Sequence, residues 1–200
     1  CFHNSNPIVL ELGCGRGEYT VALAERYPDK NFIGVDIKGA RMWRGAKTAT
    51  EQQMGNVGFL RTRIEFIDSC FGPGEVDEIW ITFPDPQLRK SRVKKRLTAP
   101  DFLERYARFL RPGGTIHLKS DCRHLHDYTR AVAEGNQLPI EAANTDIYGT
   151  GFADELLSIK TTYEKRFLAQ GVPITYLRFR LDDRNTFDPI EFAPDEQLLG

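Results

Sequence analysis

Three groups of residues in this chain have types and spacings suited to chemistry. The first is Glu11-Leu12-Gly13-Cys14-Gly15-Arg16-Gly17, with glycines at alternate positions. Glycine carries no Cβ, so backbone there can approach a ligand closely. Alone, such a loop is a weak signal. The dinucleotide-binding pattern is G-x-G-x-x-G, whose helix amides receive a pyrophosphate. Here the spacing is G-x-G-x-G, and an acid, Glu11, stands just before it. A carboxylate at that point would repel a pyrophosphate. It would suit a cationic ligand such as the sulfonium and amino group of S-adenosylmethionine. Asp36 ends a second apolar run, 25 residues after Glu11. An acid there can accept both hydroxyls of a ribose. A helix cap would also account for Asp36. Glu11, Asp36 and the glycine loop together favour an adenosine-type cofactor.

The second group is Phe83-Pro84-Asp85-Pro86, followed by the tract Arg89–Arg96, in which six of eight residues are basic. Two prolines restrict the backbone around Asp85 and hold it in one direction. A simple turn would use the same residues. A position beside the cofactor loops favours a functional role. Basic runs are most often solvated faces. This one adjoins the Asp85 loop and stands out against a net charge of −1, which favours contact with a polyanion. The third group is two acids: Asp121 after Leu118-Lys119-Ser120, and Glu164 after Thr161-Thr162-Tyr163. Taken singly, a helix cap would explain Asp121 and an acid on a surface helix would explain Glu164.

The elements that must position these groups alternate. Apolar runs at Pro7–Leu12, Asn31–Asp36, Val57–Thr62, Asp77–Phe83 and Thr115–Lys119 read as buried strands. Between them, Gly17–Tyr27, Gly39–Gln53 and Ala99–Leu110 carry helical spacing, as does Cys122–Glu134 afterwards. Pro112-Gly113-Gly114 reads as a turn. Further strands are expected near Pro139–Asn144 and Thr175–Leu181. The pattern predicts an α/β fold: a mostly parallel central sheet with helices on both faces, in one domain over residues 1–181. Residues 182–200 are polar, contain Pro189 and Pro194, and read as a loose tail. In such sheets ligands bind beyond the carboxyl ends of the strands. The three groups of residues fall there.

Composition sets the outer limits. The chain has 200 residues, 40% hydrophobic and 28% charged, as expected of a globular domain. No apolar run approaches the ~20 residues that span a bilayer, so no membrane partner is expected. No secretory leader is visible. Cys1, Cys14, Cys70 and Cys122 form neither a zinc pattern nor a disulfide framework, which points to a reducing, cytoplasmic setting. His3, His117, His124 and His126 form no defensible metal set, and no metal is expected. Trp43 and Trp80 read as packing residues. A balance near zero argues mildly against nucleic-acid binding, though a local basic patch suffices.

Taken together, "ELGCGRG", "FPDPQ", "KKRL", "HLKSD" and "TTYEKR" occur in the order found in the tRNA (guanine-N7)-methyltransferases. These are class I S-adenosylmethionine-dependent enzymes with a Rossmann-like fold. The chain resembles that family from Pro7 to about Leu181, with "FPDP…KKRL" and "TTYE" the specific part. The resemblance implies S-adenosylmethionine as cofactor and tRNA as partner. It places Glu11, Gly13 and Gly15 at the methionine part, Asp36 at the ribose, and Arg63 and Ile64 near the adenine, Ile64 through its backbone. It makes Asp85 the central active-site acid, also beside the cofactor. It assigns Arg89, Asp121, Thr161, Thr162, Tyr163 and Glu164 to the target guanosine. It assigns Ser91, Arg92, Val93, Lys94, Lys95 and Arg96 to RNA. The chain departs from the family at Gln87, commonly Trp, at Arg89, commonly Lys, and at Arg92, commonly His. Arg63 stands where an acid or amide is usual.

The implied reaction needs no base, because guanine N7 offers a lone pair and bears no proton. Positioning would carry most of the catalysis. Asp85 would stabilise the developing positive charge, while Asp121 and Glu164 would accept from guanine N1–H and the 2-amino group. Competing readings are a class I methyltransferase of another substrate, a non-catalytic RNA-binding module and, less compatible with Glu11, a dehydrogenase.

Overall fold

The computed structural model describes residues 2–192. Seven strands form one sheet: β1 (Ile8–Leu12), β2 (Asn31–Asp36), β3 (Val57–Arg61), β4 (Val76–Thr82), β5 (Leu110–Ser120), β6 (Ile140–Asn144) and β7 (Thr175–Arg180). Their order is β3-β2-β1-β4-β5-β7-β6. The first five run parallel, and β7 is antiparallel to both β5 and β6. The helices are α1 (Glu18–Arg26), α2 (Gly39–Glu51), α3 (Pro100–Ala107), α4 (Arg123–Gly135) and α5 (Thr162–Ala169).

Successive strand residues face opposite sides, and neighbours along each strand enter different cores. Leu10, Ile33, Ile79, Ile81 and Leu177 join Phe102, Leu103 and Tyr106 of α3 and Leu125 and Val132 of α4 in one core. Val9, Phe32, Trp80 and Tyr176 join Tyr19, Leu23 and Ala24 of α1 in the other. Both faces are therefore covered, as the apolar runs require. Trp80 is a packing residue, stacked on His117 with ring centroids 3.9 Å apart.

Four expectations are corrected. Pro112-Gly113-Gly114 does not separate helix from strand but lies inside β5. Pairing on one side overrides the local turn preference: Gly113 N–H donates to Leu181 O at 2.8 Å and Leu181 N–H to Gly114 O at 3.0 Å, while on the β4 side the register jumps from Leu110 to Thr115 and the triplet bulges out of the pairing. Trp43 does not pack, being 60% exposed on α2. A helix, α5, occupies Thr162–Ala169, in the last third of the chain, where the element pattern gave only strands. The start of the supposed loose tail is strapped to α4. Phe187 is buried, Asn136 exchanges two hydrogen bonds with the Asp188 backbone at 3.1 and 2.7 Å, and Phe192 sits edge-on to His124 and Tyr128. The rest of that tail, residues 193–200, lies outside the described residues.

Candidate active site at the carboxyl ends of the parallel strands

β1 and β2 are neighbours, so Glu11 and Asp36 end at the same sheet edge. The glycine loop turns there. Gly13, Gly15 and Gly17 adopt φ of +78°, +54° and +69°, left-handed conformations that side chains disfavour. Gly13 and Cys14 N–H donate to Val35 O at 2.8 and 3.0 Å, which pins the loop across β2. A Cβ at Gly13 or Gly15 would meet nothing within 4 Å, because these residues face open space.

The Glu11 carboxyl is buried. It accepts the Thr20 N–H at 2.8 Å, the Thr20 hydroxyl, and the Thr82 hydroxyl at 2.6 Å. Burial outweighs these bonds and pushes its pKa up to about 7; the Asp36 charge adds to the rise. Asp36 accepts the Gly15 N–H at 3.0 Å and the Lys38 N–H at 2.8 Å, one on each oxygen. Each oxygen keeps a second acceptor position.

A cavity of about 260 Å³ opens above these groups, lined by Glu11, Gly13–Arg16, Glu18, Asp36, Arg41, Thr82, Phe83, Thr161 and Tyr163. A second, of about 380 Å³, shares Gly13 and Asp36 and runs on past Ile37, Arg63, Ile64, Leu97 and Phe102. Together they make one cleft with three parts. A buried carboxyl faces one end, Asp36 stands in the middle, and the far end is mostly apolar. This succession fits a cation, a ribose and a planar base in that order, so the residues present fit S-adenosylmethionine.

The substrate-side residues are distributed less evenly. Asp85 is exposed on the loop leaving β4 and lines neither cavity. It stands between Phe83, at the cation end, and Gln87, at the base end, and accepts the Gln87 N–H at 3.0 Å. Phe83 and Gln87 both hold φ of +48°, unusual for residues with side chains. Two contacts enforce this conformation: Phe83 N–H donates to Lys119 O at 2.8 Å, and Arg96 Nε donates to Pro86 O and Gln87 O at 3.1 and 3.3 Å.

Arg96 thereby corrects its expected role. It is 2% exposed, its guanidinium lies 4.2 Å from the Tyr128 ring centroid, and it supports the Asp85 loop instead of facing RNA. Val93 is also turned inward, half-buried against the α3–α4 core. Arg89, Ser91, Arg92, Lys94 and Lys95 are exposed, the last four on a 3₁₀ segment, Lys90–Lys95, and Lys95 also borders the base end of the cleft. Asp121 is half-buried just after β5, and burial raises its carboxyl above the usual range.

Glu164 also departs from expectation. It is fully buried, and its carboxylate meets Lys119 Nζ at 2.8 Å and the Tyr148 hydroxyl at 2.7 Å. Lys119 Nζ also donates to Leu157 O at 2.6 Å and Ile159 O at 3.1 Å. The pair fixes the start of α5, where Thr161 and Tyr163 reach the cleft, while Glu164 itself does not. Thr162 is exposed and donates to Glu18 through its N–H and hydroxyl, both at 2.6 Å, latching α5 to α1 beside the cleft.

Sequence reasoning passed over Lys119, Glu18, Thr20, Thr82 and Arg41. Lys119 was detectable as a charge in an apolar strand. The Thr161-x-x-Glu164 spacing signalled a helix start, and Thr161 does accept the Glu164 N–H at 3.2 Å. Glu18, Thr20, Thr82 and Arg41 carry no local signal. Cys14, Cys70 and Cys122 are free thiols, and among the described residues no three His, Cys, Asp or Glu side chains gather as a metal site.

A family model described as "Putative methyltransferase" matches residues 5–177. The tRNA (guanine-N(7)-)-methyltransferase of Porphyromonas gingivalis is 54% identical over 97% of this chain and 80% of its own length. That of Bacteroides thetaiotaomicron is 55% identical over 90% and 71%, and that of Listeria monocytogenes is 32% identical over 90% and 83%. Among solved structures, the 16S rRNA (adenine(1408)-N(1))-methyltransferase from Catenulisporales acidiphilia matches with a TM-score of 0.64 at 18% identity, covering 94% of this chain and 91% of that one. The 16S rRNA methyltransferase KamB matches at 0.60 and 19%, with 88% of each chain covered. These two likenesses concern the fold, which is that of the class I methyltransferases. By sequence, the chain belongs to the tRNA (guanine-N7)-methyltransferase family.

Proposed function

We propose that the protein transfers the methyl group of S-adenosylmethionine to N7 of a guanosine in the variable loop of tRNA. The observation that carries this reading is the three-part cleft, found in a chain 54% identical to a tRNA (guanine-N(7)-)-methyltransferase over 97% of its length. Glu11 and the Gly13–Arg16 loop hold the methionine part, Asp36 the ribose, and Ile37, Arg63 and Ile64 the adenine. The cofactor supplies an electrophilic methyl group on a sulfonium. The protein's task is to align N7 with it, and good alignment is worth ~7–11 kcal/mol. Asp85, at the mouth between the two ends, supplies a fixed negative charge toward the purine as it becomes cationic. Asp121, with Thr161 and Tyr163, orients the guanine edge. Glu164 acts through Lys119 by holding α5 in place. Arg89, Ser91, Arg92, Lys94 and Lys95 meet the RNA backbone.

Residues 2–181 form the methyltransferase domain, with the following segment strapped to it. No helix among the described residues is long and apolar enough to cross a membrane, and we place the reaction in the cytoplasm, where tRNA is processed. The test is to incubate the protein with bulk tRNA and labelled S-adenosylmethionine, then hydrolyse the RNA to nucleosides. Label in 7-methylguanosine is expected; label in another nucleoside, or none, overturns the assignment.

A further inference from the structure

The proposed contact with tRNA uses the basic segment after β4 and leaves a second concentration of positive charge unused. α2 buries Met42, Gly45 and Ala49 and turns Arg41, Trp43, Arg44 and Lys47 to solvent. Lys38, just before the helix, and Arg16, in the glycine loop, are exposed beside it. The acid of this helix, Glu51, lies at its far end, paired with Lys47 at 3.6 Å. Among the described residues, Arg16, Lys38, Arg41 and Arg44 form no ion pair. On a protein of net charge −1, such a face is a local electropositive patch. Trp43 stands in it 60% exposed, with Lys47 Nζ 5.4 Å from its ring centroid. Cations that take phosphates beside an aromatic ring that stacks on a base are the combination that grips single-stranded or looped RNA.

The patch is fixed relative to the cleft. A Cβ on Gly45 would come within 2.8 Å of Arg16 O and 3.1 Å of Gly17 Cα, so α2 sits directly on the glycine loop. Arg16 and Arg41 line the cation end of the cleft and carry the patch to its mouth. Strand order then sets the geometry. β1 lies between β2 and β4; α2 follows β2, and the segment Lys90–Lys95 follows β4. α2 lies beside α1 on one face of the sheet, whereas Val93 of the Lys90–Lys95 segment packs into the core of the other face, so the two basic regions flank the cleft on opposite sides.

We propose that the solvent face of α2, centred on Trp43 and Arg44, is a second tRNA-docking surface. It grips the RNA backbone across the cleft from Lys90–Lys95, and Trp43 stacks on an unpaired nucleotide. This rests on tRNA being the substrate. The test uses the full chain carrying Trp43→Ala with Arg44→Glu, since neither residue lines the cofactor cleft. Affinity for tRNA is measured across a salt series, affinity for S-adenosylmethionine by calorimetry, and oligomeric state by sedimentation. The double variant should bind tRNA at least about tenfold more weakly, the scale of the lost stacking contact alone. Its log–log salt slope should be shallower by ~0.7–0.9 for the lost phosphate contact. Cofactor affinity should be unchanged, and the KM for tRNA raised without loss of kcat. Unaltered tRNA affinity and slope would overturn the proposal, as would a variant that changes only self-association, which marks the face as a contact between copies. Failure of the unaltered chain to bind or methylate tRNA would instead overturn the substrate reading.

Discussion

Affinity for S-adenosylmethionine should depend on pH through Glu11. Its carboxyl is 3% exposed, and burial pushes its pKa up to about 7, so near neutrality it is divided between acid and carboxylate. A sulfonium and an ammonium bound at that end of the cleft favour the carboxylate. If the bound state requires it, the apparent dissociation constant scales as one plus the ratio of acid to carboxylate. That factor is about 11 at pH 6.0 and about 1.3 at pH 7.5, so affinity should rise about eightfold across the interval. The amino group of the cofactor, with an ordinary pKa of ~7.7–8.0, has lost part of its own proton by pH 7.5, which trims the net rise to about five- to sixfold. Calorimetry at pH 6.0 in two buffers of different ionisation enthalpy should also show about 0.9 proton released per cofactor bound. No histidine lines either cavity to imitate the effect. The sign for the unliganded protein is opposite. A folded-state pKa raised above the unfolded value gives stability that is full below about 4.5 and lost as pH rises through about 7, worth ~3 kcal/mol in all. Glu11→Gln should flatten both curves. Affinity that is level or falls from pH 6.0 to 7.5, with no proton release, would refute the placement of the cation against Glu11.

Three further outcomes follow from the geometry. Glu164→Ala leaves Lys119 buried and unpaired and should cost ~3–5 kcal/mol in urea denaturation, while Lys119→Met combined with Glu164→Leu should recover most of it; equal losses in both would remove the ion pair from the account. Arg96→Met strands the Pro86 and Gln87 carbonyls and should lower kcat while leaving the salt dependence of tRNA binding alone. Lys94→Ala with Lys95→Ala should do the reverse, flattening the slope by up to ~0.9 per lost phosphate contact; a changed slope in Arg96→Met would restore that residue to the RNA surface. Asp85→Asn keeps shape and one acceptor oxygen but removes the charge. Turnover should fall by roughly 10²–10³ with little change in cofactor affinity, and near-normal turnover would make Asp85 a turn residue.

Much of this protein is legible in its sequence, because the signals are local. β1, β2 and β4 are short runs dominated by apolar residues, and α1 stops before Pro28. Parallel strands joined by helices place all their carboxyl ends on one edge, so Glu11, the glycine loop and Asp36 could be brought together from chain order alone. Other features depend on segments far apart in sequence, and only the tertiary structure decides them. Arg96 is one of six bases in a row of eight, and nothing in that row separates it from Lys95. It is singled out by α4, which brings Tyr128 under its guanidinium and His124 to 3.2 Å, 28 residues away. Glu164 looks like a surface acid until β5 delivers Lys119 from 45 residues earlier. Pro112-Gly113-Gly114 has turn chemistry, but the distant Leu181 supplies the hydrogen bonds that hold it in β5. Local periodicity reports which way a residue tends to face. Its charge partner, and therefore its function, is settled by whichever distant element the fold packs against it.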